Sequence, residues 1–351
     1  MEKGPKIRII GGASVEKKNQ TKNEIKQAFF NHFDSLSPQE KEEFKKFEYP
    51  KSKQEFALIA FANTETSKLM KEAGIKGYDI PAENFHIIPS ELYKKMAGNH
   101  GIATTFNIKQ EIIFDAQYCR DNPVNFGSLV IHETLHLKAH LSVQVEEEGD
   151  KINKTSYRQG IAVTALQSYG YHGKYHQHFS GLHEAIVAET EKRILKKMFD
   201  QPELAKEKEW LISNEAKELR KKLAKEKEIP EDDIIWVSEK GKDWDIISYL
   251  QQRNILNYVC AEIQKRFPEQ YQSADDVYKI FLNAHFTGRL LPLARIVEKT
   301  FGEGSFRLLG NMSIDKQGGV LHLESLKKMR VKQSKMESKE KIMSHSNISS
   351  E

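Results

Sequence analysis

The stretch PVNFGSLVIHETLHLKAH, residues 123–140, decides how the chain reads. Asp121, Asn122 and Pro123 supply a turn and a helix start, because asparagine caps well and proline's fixed φ suits the first helical position. The apolar run around Leu129, Val130, Ile131, Leu135 and Leu137 then predicts a buried helix over 123–140. Inside it, His132-Glu133-Thr134-Leu135-His136 fits H-E-x-x-H. Residues four apart stand one above the other on a helix, so two imidazole nitrogens can reach one tetrahedral zinc ion at about 2.0–2.1 Å. Glu133, turned about 100° round the axis, flanks that face as the general base for a zinc-activated water. The plain alternative is a structural pair of core histidines. It would bury two imidazoles and a carboxylate among apolar side chains with no compensating ligand, which is costly.

A catalytic zinc ion needs a third protein ligand. His140 lies two turns from His132, about 12 Å along the axis, so those two cannot share an ion and His140 reads as structural. The longer H-E-x-x-H-x-x-G-x-x-H pattern is not present either, since residue 139 is Ala and residue 142 is Ser. The better candidate is Glu184, near the start of the next apolar helix in LHEAIVAE, residues 182–189, with Glu189 as runner-up.

HETLH followed by an (N/H)-E-A-I helix resembles the gluzincin branch of the zincin metallopeptidases, thermolysin-like in its active-site core, and particularly its minimal members. The resemblance covers residues 101–198. It implies a zinc-dependent metallopeptidase with His132, His136 and Glu184 as metal ligands, Glu133 as general base, Zn2+ as cofactor and a peptide or protein as substrate. It also implies an edge strand before the motif helix that binds extended substrate by adding a strand, a role assigned to FNIKQEIIF, residues 106–114. His285 becomes a candidate for stabilising the oxyanion, against the plainer reading of a packed histidine. One departure stands out: residue 188 is Ala where the family often has an acid one turn after the third ligand, and Glu189 or Glu191 is left to substitute. A different class also fits, a zincin-like scaffold that holds metal and serves as an interaction protein.

The rest of the chain sets the frame. Its 351 residues, 38% hydrophobic and 30% charged, suffice for a packed core. No apolar run approaches the ~18 residues of a membrane span, and the amino terminus lacks the apolar core of a secretory signal, so a cytoplasmic protein with no membrane partner is expected. Cys119 and Cys260 stand far apart and read as buried thiols. The net charge is +4, and residues 326–351 alone carry seven Lys/Arg against three Glu, so the remainder is neutral and nucleic acid is not an expected partner. Seven of the thirteen histidines fall between His132 and His183, and the loop around His172, His176 and His178 either lines the cleft or is simply solvated.

The expected fold class is α+β: a zincin-like small mixed sheet with the active-site helix, then a mostly helical C-terminal subdomain. The chain divides into a flexible segment (1–20), the catalytic domain (21–198), a charged helical segment (199–245), a helical subdomain (246–325) and a disordered basic tail (326–351) that can be removed without loss of stability. Within this frame the patterning predicts a short strand at 85–88, a hairpin over 102–114 with Phe106, Ile108, Ile112 and Phe114 on one face, a second hairpin over 152–166, a loop over 169–179 and one long helix over 203–228.

Overall fold

The structure is a computed structural model that describes residues 4–98, 101–149, 151–166 and 175–348. Its fold is α+β, helix-rich with small mixed sheets and a helical C-terminal part. Two compact units emerge, residues 1–159 with 187–248, and residues 160–186 with 249–351. This division differs from the segments read off the sequence.

The first unit runs through β1 (Ile7–Ile10), α1 (Val15–Phe30), α2 (His32–Ser35), α3 (Pro38–Phe47), α4 (Lys53–Glu72), β2 (Phe85–Ile88), α5 (Ser90–Ala97), β3 (Ala103–Phe106), β4 (Glu111–Asp115), α6 (Ala116–Cys119), α7 (Pro123–Lys138), β5 (Leu141–Glu148) and β6 (Lys151–Gln159). The second takes β7 (Ala162–Leu166) and β8 (Tyr175–His178). Next comes α8 (Ser180–Met198), an uninterrupted helix in which the division falls. The first unit resumes with α9 (Ala205–Ile212), α10 (Asn214–Lys227), β9 (Ile234–Val237) and β10 (Trp244–Ile246). The second closes with α11 (Leu250–Arg266), α12 (Ala274–Thr287), α13 (Leu290–Phe301), α14 (Ser305–Gly310) and α15 (Lys316–Ile348).

Helix starts follow local chemistry. Ser37 and Ser52 each accept a hydrogen bond from the third helical N–H while Glu40 and Glu55 accept one from the cap N–H, so α3 and α4 begin with capping boxes. Asn122 caps α7 by accepting from Val124 N and Asn125 N, with Pro123 in the first turn. Five readings change. Residues 7–10 are a strand, not a flexible end: β1 pairs parallel with β5, Ile7 opposite Leu141 and Ile9 opposite Val143, because its apolar residues complete the cluster of Ile25, Leu141, Val143 and Val145. The helix expected over 203–228 breaks at Ser213, whose side chain caps α10 by accepting from Ala216 N. Part of the expected loop is a strand, β8, paired antiparallel with β7. Residues 326–348 continue α15 where disorder was expected, and the start of this segment packs within its own unit, with Leu326 fully buried and Arg330 bonded to Glu262 on α11.

The fifth concerns the three-stranded sheet, whose order is β2-β4-β3, with β2 parallel and β3 antiparallel to β4. Directly opposed residues share a face of a sheet. One face therefore carries Phe85, Ile87, Ile112, Phe114 and Thr105, and the other carries His86, Ile88, Glu111, Ile113 and Phe106. Phe106 and Ile112 thus point to opposite sides, since the connecting turn, with Gln110 at φ 54°, does not preserve the alternation. Central β4 is covered on both edges, so the edge strands are the buried β2 and the half-buried β3, residues 103–106, and not the whole of 106–114. Among the described residues no helix is long and apolar enough to cross a membrane.

Candidate metal and active site

The first face of the sheet packs on α7: Phe114 lies 5.3 Å, ring to ring, from Phe126. The far end of α7 is pinned by Lys138, 2% exposed, whose ammonium donates to Asn63 O (3.0 Å), Thr66 Oγ1 (2.9 Å) and Ser67 Oγ (3.0 Å) on α4. Burial pushes that amine down to about 7. Towards its start, α7 approaches α8 through Gly127, where an added Cβ would collide with Sδ of Met198. A glycine inside a helix is locally unfavourable. Here it lets the two helices come close.

That approach brings α8 to the motif. Glu191 Oε2 accepts from His132 Nδ1 at 2.9 Å, and Glu191 Oε1 accepts from Ser128 Oγ. With its Nδ1–H given to Glu191, the His132 ring presents a lone pair at Nε2. The Nε2 atoms of His132 and His136 face each other 3.1 Å apart, close to the ~3.3 Å edge of a tetrahedron with bonds of about 2.05 Å. Glu184 lies on α8 seven residues before Glu191, hence two turns along the same face. One donor atom from each of His132, His136 and Glu184 falls within 4.8 Å of the others. Two imidazoles and one carboxylate are a donor set that suits zinc, so the residues fit the ion.

Glu133 is 7% exposed and is held by Thr105 on β3, whose hydroxyl donates to Oε2 at 2.6 Å and lies 3.2 Å from the Glu133 carbonyl oxygen. The remaining candidates fall elsewhere. Glu189 pairs with Arg193, Nε to Oε1 3.4 Å, while Glu184 completes the donor group. His140 bonds Ser142 Oγ at 3.0 Å, as a structural histidine should, and burial with Arg158 and Arg8 nearby holds it down at about 4. His285 is fully buried in the second unit, stacked on His183 with ring centroids 5.1 Å apart and set edge-on to Phe286. Both rings press on Gly160, where a Cβ would come within 2.7 Å of His183. That is the packed reading. His172 lies outside the described residues, and His176 and His178 sit on β8. Cys119 and Cys260 are buried and in no disulfide, and burial pushes Cys119 up to about 12.

Thr105 and Ser128 escaped the sequence reading. Ser128 carried a signal: Ser128, His132 and His136 recur every four residues, a polar stripe in an apolar helix. Glu191, two turns beyond Glu184, takes the orienting part that Ala188 cannot. No family model matches the chain, and no curated protein and no solved structure is significantly similar to it.

Proposed function

We propose that the chain is a zinc-dependent metallopeptidase, with His132, His136 and Glu184 holding Zn2+ and Glu133 as general base. The carrying observation is the pair of Nε2 atoms 3.1 Å apart, with His132 oriented from behind by Glu191. Bound zinc would acidify a water towards about pKa 7 and polarise the scissile carbonyl. Glu133 takes the proton from the attacking water and returns it to the leaving amine. Thr105 fixes Glu133 by its hydrogen bond to Oε2, which directs the transferred proton to Oε1. β3, the half-buried edge strand beside α7, receives the substrate backbone. Two unbridged buried thiols accord with a reducing compartment such as the cytoplasm.

The test combines metal content with hydrolysis of a peptide library. Wild type should bind zinc and cleave, and His136→Ala should lose the motif's zinc and the activity together. A zinc-loaded wild type that cleaves nothing would support the other reading, a metal-holding scaffold.

A further inference from the structure

We propose that His32, His86 and Glu111 form a second, buried metal site that takes one divalent ion of the zinc type as a structural element of the first unit. The three come from α2, β2 and β4, and lie 2%, 1% and 0% exposed. Their donor atoms fall within 4.8 Å of one another. His86 and Glu111 share the sheet face that turns away from the H-E-x-x-H helix.

Proton bookkeeping supports an ion there. His86 Nδ1 lies 3.1 Å from Glu48 Oε2, an ion-pair contact outside hydrogen-bond geometry; the carboxylate beside it favours the hydrogen on that nitrogen, which leaves Nε2 as a lone pair. His32 Nε2 faces it at 2.8 Å, so in the absence of an ion the His32 hydrogen must point at His86. Glu111 Oε2, 3.5 Å from the same His32 nitrogen, then receives none of it. Neither oxygen of this wholly buried carboxylate has a hydrogen-bond partner, and Lys109 Nζ stands 3.7 Å from Oε1. A buried carboxylate left in that condition is costly. One cation at the centre takes a lone pair from His32, one from His86 and one from Glu111 at once. Nitrogen and oxygen donors in a closed setting favour zinc or a close relative, and the enclosure favours a structural ion over a catalytic one. Phe44, stacked 4.0 Å from the His86 ring, adds an apolar cover.

The experiment uses the full chain carrying His136→Ala, which removes a ligand of the first site. Zinc is titrated by calorimetry, and cobalt(II) is titrated while its visible spectrum is followed. The expected result is about one equivalent bound, a tetrahedral cobalt band and a melting temperature raised by zinc. Adding Glu111→Gln should take the stoichiometry from one to zero while circular dichroism stays unchanged. A His136→Ala chain that binds no zinc, shows no cobalt band and melts at the same temperature with zinc would leave a hydrogen-bonded triad only and overturn the proposal. So would an equivalent that survives Glu111→Gln, since the ion would then lie elsewhere. If the Glu111→Gln chain does not fold, the cobalt spectrum and the melting shift of His136→Ala alone decide. Wild type that binds one equivalent and loses it in His136→Ala would refute the second site and leave the peptidase reading standing.

Discussion

The two faces of the β2-β4-β3 sheet repeat one arrangement with different surroundings. Towards α7, His132 gives Nδ1 to Glu191 and turns Nε2 to His136 at 3.1 Å. On the opposite face, His86 has Nδ1 3.1 Å from the Glu48 carboxylate, without the hydrogen-bond geometry of the first pair, and turns Nε2 to His32 at 2.8 Å. A glutamate completes each group. What differs is the neighbour. The first site has Glu133 beside it, steered by Thr105 and next to a half-buried strand edge, whereas the second is sealed under Phe44. Under the two proposals the same donors would serve chemistry where a base and a strand edge adjoin them, and cohesion where neither does.

The comparison breaks most sharply at the carboxylates. Glu133→Gln should lower peptide hydrolysis by about 10²–10⁴-fold with zinc retained, while Glu111→Gln in a folded chain should leave the rate per zinc at the first site unchanged. Steady-state kinetics with metal analysis decides, and a zinc-loaded Glu133→Gln enzyme at full speed would end the assigned division of labour. Next come the orienting acids. Glu191→Gln should weaken zinc at the first site by about 10–100-fold, and Glu48→Gln should do the same at the second, the usual scale for such partners. Competition with a chelating dye reads both, and a change confined to one of them would mean that the likeness is only geometric.

A smaller effect is expected at Thr105→Val, which keeps the shape and removes one hydrogen bond to a carboxylate. A bond of about 1.5 kcal/mol corresponds to a roughly tenfold fall in kcat, with zinc content unchanged. Smallest is a pH effect outside both sites. His140, held at about 4 against an ordinary 6.5, is stable as the neutral ring. Its contribution is therefore complete above pH 6.5 and lost as the pH falls to 4. Melting of metal-free chain should decline more steeply over that window in wild type than in His140→Gln, and parallel curves would remove His140 from the account.

What could be read from sequence was local. The i, i+4 histidines, the Asn122 cap and the strand at 85–88 depend on residues within a turn or two of one another, and each stands in the structure as the spacing demands. Longer-range facts could not be read. β1 is a strand only because β5, more than 130 residues later, offers Leu141 and Val143 to it. The face reversal between Phe106 and Ile112 depends on the length and twist of one turn, invisible to an alternation count. Leu326 looked like a lone apolar residue in a basic stretch until the helices of its unit enclosed it. The second site was missed for the same reason, as His32, His86 and Glu111 have no short spacing to betray them.

The contact of Gly127 with Met198 gives the molecule an oxidative weak point that no ligand has. Met198 is fully buried with its sulfur against the glycine, so nothing the size of an oxygen atom fits between them. While the chain is folded, peroxide cannot reach that thioether. Once a chain has opened and the sulfur has become a sulfoxide, a bulkier and polar group must return to a space measured for bare sulfur. Such a chain would carry every metal ligand intact and still hold α8 too far from α7 for Glu191 to meet His132. Ageing of this protein would then register as lost zinc, with the chemical lesion two turns beyond Glu191 and about four turns of α8 beyond the proposed ligand Glu184.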